Sequence, residues 1–295
     1  MTPTQPDSMA SGGPIPRVLG DEAVAAAARA LADAERTQVP MRQLSQQYPD
    51  MTVEDAYAIQ RALIEQKLAT GRRLVGRKIG LTSRAMQQSV SIDEPDFGAL
   101  LDDMIFENGA EIPLRRFIRP RIEMELAFVL GEAVTGPGCT AIDILRAAEF
   151  VVPALEILDA RVQMTDPDTG RGRTIVDTIA DNAADAGVVL GSRPAKPLEV
   201  DIAWVAALLY RNGVIEESGV AAAVLHHPAN SAAWLANKLA GYGVRLEAGQ
   251  IILSGSFIRP VHAYAGDVFH ADYGPLGTIT CRFAAEPPGA PPEER

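Results

Sequence analysis

The stretch RIEMELAFVL, at residues 121–130, predicts more about this chain than any other segment. Its composition is typical of a β-strand, in which alternate side chains share a face, so Glu123 and Glu125 are expected side by side. Met124 and Leu126 lie on the opposite face, and the residues after Glu125 are all apolar, which predicts that the strand enters a core. Two carboxylates beside a core repel each other and lose hydration, so a cation is expected between them.

A third glutamate lies in a second apolar strand, VVPALEIL at residues 151–158, where Pro153 is expected to mark a strand edge or a bulge. Glu156 would complete a set of three oxygen ligands without His or Cys, which favours Mg²⁺ or Mn²⁺ over Zn²⁺. The same spacing also fits strand-edge glutamates that face water or pair with Arg121 and Arg161. Spacing alone does not choose between these two interpretations.

Two further residues carry potential acid–base chemistry. Lys78 lies in the apolar segment 74–81, a predicted strand, where it could bind a carboxylate or relay a proton, although a lysine that reaches solvent from a strand end is more common. Asp96 lies in the segment SIDEPDFG at 91–98, a predicted loop, where an aspartate is usually a turn former.

The composition excludes several classes of protein. With 47% hydrophobic and 22% charged residues among 295, the chain has the balance of a globular protein with a sizeable core. A net charge of −11 argues against nucleic acid and anionic membrane surfaces as partners. The two cysteines predict a reduced, cytoplasmic protein, and no apolar run is long enough for a membrane span. The N-terminal residues lack the pattern of a signal peptide.

The pattern of elements predicts an α+β fold with a helical N-terminal portion at 20–72 and a β-rich domain at 73–284. Residues 1–19 and 285–295 are expected to be disordered tails. Helices are predicted from Asp21 to about Thr37, from a cap at Thr52 to Gly71, after Thr140, and from Pro228 to Leu239. Later strands are predicted at 187–191, 203–211, 214–218, 250–257 and 277–283, with a hairpin at Asn212-Gly213. Strands do not alternate regularly with helices, which disfavours a doubly wound sheet.

Six segments in this order resemble the fumarylacetoacetate hydrolase superfamily, and within it the hydratase/decarboxylase branch of aromatic meta-cleavage pathways. They are GRKIGLTS (76–83), DEPDFG (93–98), EMEL (123–126), PALEI (153–157), DNAA (181–184) and LSGS (253–256). The resemblance extends from about residue 40 to residue 283. It implies a mixed β-sandwich roll with external helices, and a homo-oligomer.

The resemblance also implies roles for residues and a reaction. Glu123, Glu125 and Glu156 would bind Mg²⁺, or Mn²⁺, and Lys78 and Asp96 would act as acid–base residues. Ser254 and Ser256 would line the substrate pocket, and Arg77, beside Lys78, could influence substrate preference. The implied reaction adds water to a 2-hydroxy-2,4-dienoate. The expected substrate is 2-oxohept-4-ene-1,7-dioate, from homoprotocatechuate degradation, and the product is 4-hydroxy-2-oxoheptane-1,7-dioate.

Several alternatives stay open. A decarboxylase acting on a 2-oxo-3-enedioate of the 4-oxalocrotonate type, or a hydratase of the shorter 2-hydroxypentadienoate, would use the same site. A hydrolase is disfavoured because the first histidine is His226, and a silent partner of a related decarboxylase is disfavoured by the carboxylate cluster. A complex with such a decarboxylase or a downstream aldolase is a further expectation. A dioate also needs an anchor for its distal carboxylate, for which Arg77, Arg84, Arg161 and Arg259 are candidates.

Overall fold

The structure is a computed structural model that describes residues 16–89 and 92–284. Its helices are α1 (Asp21–Thr37), α2 (Leu44–Gln47), α3 (Val53–Ala69), α4 (Arg84–Ser89), α5 (Ala141–Ala147), α6 (Ile175–Ala180) and α7 (Pro228–Ala240). Its strands are β1 (Leu74–Gly80), β2 (Asp96–Leu101), β3 (Ile105–Phe106), β4 (Glu111–Ile112), β5 (Arg121–Leu130), β6 (Ala148–Leu158), β7 (Asp185–Leu190), β8 (Ala206–Arg211), β9 (Val214–Val220), β10 (Ile251–Leu253), β11 (Val261–His262), β12 (Val268–Asp272) and β13 (Thr278–Phe283). None of the described helices is long and apolar enough to cross a membrane.

The strands form two mixed sheets, which confirms the predicted α+β class. The larger sheet has the order β2-β1-β10-β5-β6-β7-β3, with β11 paired to β5, and the smaller has the order β4-β13-β12-β8-β9. Pairing is parallel between β1 and β10, β3 and β7, and β4 and β13, and antiparallel elsewhere. The central pair, β5 and β6, carries the candidate metal ligands.

The two sheets share one hydrophobic core. Buried side chains from both sheets, including Phe128 of β5 and Phe269 of β12, belong to a single apolar cluster. The hydroxyl of Tyr273, next to the smaller sheet, donates a hydrogen bond of 2.6 Å to the carbonyl of Ala154 in β6. Truncating a fully buried phenylalanine of this kind to alanine costs about 3–5 kcal/mol, so the core holds the central strands rigidly.

The N-terminal helices pack on the body of the same chain. Helix α3 lies against α1 and α6, and the amide of Gln60 donates hydrogen bonds to the carbonyls of Phe97 (2.8 Å) and Ile179 (2.9 Å). The predicted cap at Thr52 is confirmed, because its side chain accepts from Asp55 and the Asp55 carboxylate accepts from Thr52 in return. Such reciprocal bonds satisfy backbone N–H groups that the first helical turn leaves unpaired.

Other predictions of local structure hold with small shifts. Helices begin after Thr140 and at Pro228, and Asn212 and Gly213 form the hairpin turn with positive φ angles of 55° and 82°. Helix α6 was not predicted, although Thr174 and Asp177 at its start form the same type of capping box as Thr52 and Asp55. The predicted strand at 250–257 is wrong beyond Leu253, where the chain leaves the sheet.

The predicted loop at 91–98 is wrong at its C-terminal end, because β2 begins at Asp96 and all its residues are buried. Gly98 disfavours a strand when judged locally, but a Cβ there would lie 2.5 Å from the carbonyl oxygen of Asn182. A close approach between two backbones therefore explains this glycine, and only the tertiary structure reveals it.

Pro153 also differs from its prediction, since it lies inside β6 with neighbours on both sides and not at a sheet edge. Its carbonyl accepts from the N–H of Gly191 just after β7, and the next bridge to β6 joins Val151 to Ala195. The neighbouring chain leaves the ladder between these two points, so the N–H that proline lacks is not required there.

Most of the two predicted tails, residues 1–15 and 285–295, lies outside the described residues. Within 16–19, the backbone N–H groups of Val18 and Leu19 donate to the carboxylate of Asp55, which connects the start of the described chain to α3. The division into helical and β-rich portions at residue 73 stays a prediction.

Candidate metal centre and active site

Three glutamates converge where β5 and β6 run side by side. Glu123 lies directly opposite Glu156 in the antiparallel ladder, and Glu125 follows on the same face of β5. One carboxylate oxygen from each residue lies within 4.8 Å of the other two. Glu125 and Glu156 are only 1% and 0% exposed, so they do not face water as strand-edge glutamates would. Of the two suggested partners, Arg161 forms an ion pair with Asp181, and Arg121 lies near enough for its charge to act on Glu123.

The electrostatics of this cluster require a compensating charge. Burial raises the pKa of Glu123 to about 8, and the negative charge of Glu156 adds to that effect. The pKa of Glu125 is raised well above its ordinary value for the same two reasons. Among the described residues, Oε1 of Glu125 and both carboxylate oxygens of Glu156 have no hydrogen-bond partner. Buried, unpaired oxygens in an all-carboxylate set match the ligand preference of a hard divalent cation, so these residues fit the expected Mg²⁺ or Mn²⁺.

Lys78 extends from β1 into this cluster. Its side chain is buried, and Nζ lies 3.3 Å from Oε1 of Glu156. Burial alone would lower the pKa of Lys78, but Glu156 and Asp96 outweigh that effect and raise it. The lysine therefore remains an ammonium group beside the glutamates and does not extend to solvent.

Asp96 lies opposite Gly80 at the start of β2, close to Lys78. Burial raises the pKa of Asp96, while the positive charge of Lys78 partly opposes that effect. A Cβ at Gly80 would collide with Oδ1 of Asp96 and lie 3.1 Å from Nζ of Lys78. The glycine therefore allows the carboxyl group and the ammonium group to approach each other over β1.

The segment 254–256 contributes to the site only partly as predicted. The N–H of Gly255, at a φ of 106°, donates a 2.8 Å hydrogen bond to Oε2 of Glu125 and orients that carboxylate. Ser256 lines the cavity described below. Ser254 is fully buried, and its carbonyl accepts from Ser231. The sequence interpretation named both serines and missed the glycine between them.

Arg77 does not lie at the site, contrary to the expectation. Successive residues of β1 point to opposite faces, so the side chain next to Lys78 points away from the glutamates. Arg77 lines a separate cavity with Tyr57, Phe97 and Tyr242. Burial lowers its pKa to about 10. Adjacency in sequence suggested a shared site, and the strand geometry excludes it.

A cavity of about 560 Å³ is lined by Glu123 and by the two acid–base candidates, Lys78 and Asp96. The wall of this cavity also includes three arginines: Arg121, Arg173 and Arg259. Of the four arginines proposed as distal anchors, only Arg259 is part of this wall. Cations around an acidic cluster give the cavity both a metal-binding end and surfaces that attract an anion.

Two residues near the site were missed as functional candidates. Asn182 exchanges two hydrogen bonds with the backbone of Ala99, and it begins a run of three positive φ angles that continues through Ala183 and Ala184. Asp185 is buried near Glu156, and burial, followed by the charge of Glu156, raises its pKa well above the ordinary value. The signal available was an aspartate at the start of an apolar strand, the same pattern that identified Glu156.

Comparison with known proteins identifies the family of this chain. The family model described as fumarylacetoacetate (FAA) hydrolase C-terminal matches residues 73–284. The chain belongs to the fumarylacetoacetate hydrolase family. It is 60% identical over 256 residues to the 2-oxo-hept-4-ene-1,7-dioate hydratase of Escherichia coli, covering 87% of this chain and 96% of that protein. It is 40% identical to the 2-hydroxyhexa-2,4-dienoate hydratase of Comamonas testosteroni, covering 86% of this chain and 94% of the relative.

A solved structure in the fumarylacetoacetate hydrolase family shares the fold over almost the whole chain. The 4-oxalocrotonate decarboxylase from Pseudomonas putida G7, complexed with magnesium and adipate, superposes with a TM-score of 0.86 at 33% identity. The match covers 91% of this chain and 100% of the decarboxylase chain. The predicted family and the α+β fold are therefore both confirmed.

Proposed function

We propose that this protein is a metal-dependent hydro-lyase that adds water to a 2-hydroxy-2,4-dienoate. The proposed substrate is 2-oxohept-4-ene-1,7-dioate, and the product is 4-hydroxy-2-oxoheptane-1,7-dioate. The observation that carries this proposal is the convergence of Glu123, Glu125 and Glu156 next to Lys78, in a chain 60% identical to a hydratase of that substrate. The proposed setting is aromatic catabolism, specifically homoprotocatechuate degradation.

The three glutamates would hold Mg²⁺, with Mn²⁺ as the alternative. Oε1 of Glu125 and both carboxylate oxygens of Glu156 have no hydrogen-bond partner among the described residues, and a relative with 33% identity was solved in complex with magnesium. When bound there, a divalent cation supplies Lewis acidity toward the carboxylate and the C2 oxygen of the substrate. Gly255 keeps Glu125 in position by its N–H hydrogen bond.

Lys78 and Asp96 would act as the acid–base residues of the reaction. The Lys78 ammonium group stabilises negative charge as the dienol becomes a dienolate, since it remains charged beside the glutamates. The proton lost from the 2-hydroxyl group is balanced by one delivered to C5, which gives a 2-oxo-3-enoate whose C4 is electrophilic through conjugation. Asp96, a carboxyl group with a raised pKa, then guides the water that adds at C4 or the proton that is delivered to C3.

The test is turnover of 2-hydroxyhepta-2,4-dienedioate by purified protein with Mg²⁺, followed by loss of diene absorbance and NMR of the product. We expect the 4-hydroxy-2-oxo product, and we expect EDTA or Glu123→Ala to abolish its formation. Full activity of a metal-free sample would overturn the proposal.

A 2-oxo-3-enedioate decarboxylase of the 4-oxalocrotonate type is the second candidate, because the decarboxylase from Pseudomonas putida G7 has the same fold with a TM-score of 0.86. Release of CO₂ from the corresponding enedioate, without hydration of the dienoate, would favour it. A hydratase of 2-hydroxypentadienoate is supported by 41% identity to the 2-keto-4-pentenoate hydratase of Paraburkholderia xenovorans (strain LB400).

The proposal includes a cytoplasmic location, supported by two free cysteines, Cys139 and Cys281. It also includes a homo-oligomer that can associate with a related decarboxylase or a downstream aldolase, which is supported by the family resemblance alone. Light scattering of the purified protein, with and without those enzymes, tests both assemblies.

A further inference from the structure

Arg173 is a partly buried cation in the wall of the cavity. It lies just before α6 and lines the same cavity as Lys78 and Glu123. Among the described residues, its Nη1 is buried and has no hydrogen-bond partner. A buried, unsatisfied guanidinium nitrogen is costly, so a stable protein is expected to provide it with an anion or another acceptor.

Arg121 places a second guanidinium in the same cavity wall. It lies two residues before Glu123 on β5, so the two share a strand face with their Cα atoms about 7 Å apart. Burial lowers the pKa of Arg173; the charge of Asp181 opposes that effect, and the charge of Arg121 adds to it. The two guanidinium groups lie in one cavity wall with Glu123, and together they offer several N–H donors to an anion.

The other candidate arginines are engaged or lie elsewhere. Arg161 forms an ion pair with Asp181, and Arg259 pairs with Glu217 at 2.8 Å while its side chain is 85% exposed. Arg77 lies on the opposite side of β1, and Arg84 is exposed and is not part of the cavity wall. Arg173 therefore differs from these arginines, because it lines this cavity and one of its guanidinium nitrogens has no hydrogen-bond partner among the described residues.

We propose that Arg173, with Arg121 beside it, binds the distal carboxylate of a dioate substrate and selects it over a monocarboxylate of the same series. This inference rests on the proposed function. The planar guanidinium donates two parallel hydrogen bonds to a carboxylate, a geometry that an ammonium group cannot reproduce. A substrate without the distal carboxylate leaves the buried nitrogen unpaired, and that penalty provides the discrimination.

The test compares Arg173→Gln with Arg171→Gln, a matched control two residues away whose side chain is exposed and outside the cavity wall. The probes are two unreactive saturated analogues, 2-oxoheptane-1,7-dioate and 2-oxopentanoate, titrated calorimetrically into each full-length protein with Mg²⁺. We expect Arg173→Gln to bind the dioate about 30-fold more weakly, and the monocarboxylate as the unaltered protein does. Arg171→Gln should bind both analogues unchanged.

Turnover provides a second comparison, with 2-hydroxyhepta-2,4-dienedioate and 2-hydroxypenta-2,4-dienoate. Arg173→Gln should lower kcat/KM for the dienedioate and spare the shorter dienoate, and Arg173→Lys should recover part of the preference. Equal loss for both ligands, or no loss for either, would overturn the inference. If Arg173→Gln does not fold, the same binding comparison with Arg173→Lys and Arg121→Gln decides.

The two proposals fail separately. If the unaltered protein hydrates neither dienoate but loses affinity for the saturated dioate when Arg173 is replaced, the hydratase proposal fails and the anchor stands. If hydration proceeds and its dependence on the distal carboxylate survives Arg173→Gln and Arg121→Gln, the anchor is wrong and the hydratase stands.

Discussion

Nζ of Lys78 lies 3.3 Å from Oε1 of Glu156, and both side chains are almost completely buried. Lys78 lies on β1 and Glu156 on β6, and these strands are separated by β10 and β5 in the larger sheet, so the contact joins two strands that are not neighbours. In this buried region, the attraction between the two charges offsets part of the free-energy cost of removing each from water.

Replacing Lys78 with methionine should destabilise the metal-free protein, because Glu156 then remains buried without its cation. The expected loss is about 3 kcal/mol, within the range for breaking one partner of a buried ion pair. Urea unfolding in EDTA measures it, and added Mg²⁺ should restore part of the stability. Lys196→Ala is the control: this exposed lysine lies over Phe150, and its loss should cost under about 1 kcal/mol. Equal losses for the two variants would contradict the buried-pair argument.

Gly80→Ala should impair catalysis more than folding. The added methyl group would collide with Asp96 and crowd Lys78, which displaces the two proposed acid–base groups from each other. A displacement of about 1 Å at reacting groups lowers turnover about 100-fold. Steady-state kinetics measure this loss, and circular dichroism checks the fold. Gly20→Ala is the control, because no atom lies within 4 Å of its added Cβ and its φ is −72°. Unchanged turnover in Gly80→Ala would show that the close approach is not required.

Metal binding should release protons at neutral pH. In the metal-free protein, burial and the charge of Glu156 raise the pKa of Glu123 to about 8, so this carboxyl largely retains its proton at pH 7, and they raise the pKa of Glu125 well above its ordinary value. Cation binding needs the carboxylate forms, so affinity should rise with pH by up to about tenfold per unit for each proton released, and the part due to Glu123 should level off above about pH 8. Calorimetry in buffers of different ionisation enthalpy counts the protons. Glu123→Gln should release fewer, and an affinity independent of pH would contradict this prediction.

Asp166 should contribute to stability above about pH 4 and lose that contribution in acid. A hydrogen bond from Arg42 lowers its pKa to about 2, and the N–H of Thr169 contributes to the same effect. Because the folded-state pKa lies below the ordinary value, stability falls as pH decreases from about 4 to 2. Asp166→Asn should be less stable than the unaltered protein at neutral pH. Its melting temperature should also fall less steeply as the pH decreases from about 4 to 2. Asp168→Asn, a 76% exposed neighbour 3.7 Å from Arg42, is the control and should retain the steep limb.

Several features of this protein were determined by short stretches of sequence. The alternation in residues 121–130 placed Glu123 and Glu125 on one face, the Asn212-Gly213 pair formed the hairpin turn, and Thr52 formed the predicted cap. Each depends on residues within a few positions of one another, for which periodicity and backbone preference are sufficient. The quoted motifs also indicated the family, because they carry the residues that meet at the site.

Only the tertiary structure decided which of these residues meet. Glu156 faces Glu123 because of the register between two strands, and Gly98 is required because Asn182, 84 positions later, packs against it. Because side chains alternate along β1, Arg77 lines a different cavity from Lys78. The fold places Arg173 in the wall of the cavity of Lys78, where its Nη1 has no hydrogen-bond partner among the described residues. These outcomes depend on long-range pairing and on the exclusion of water by the assembled core, and neither is encoded in a local pattern.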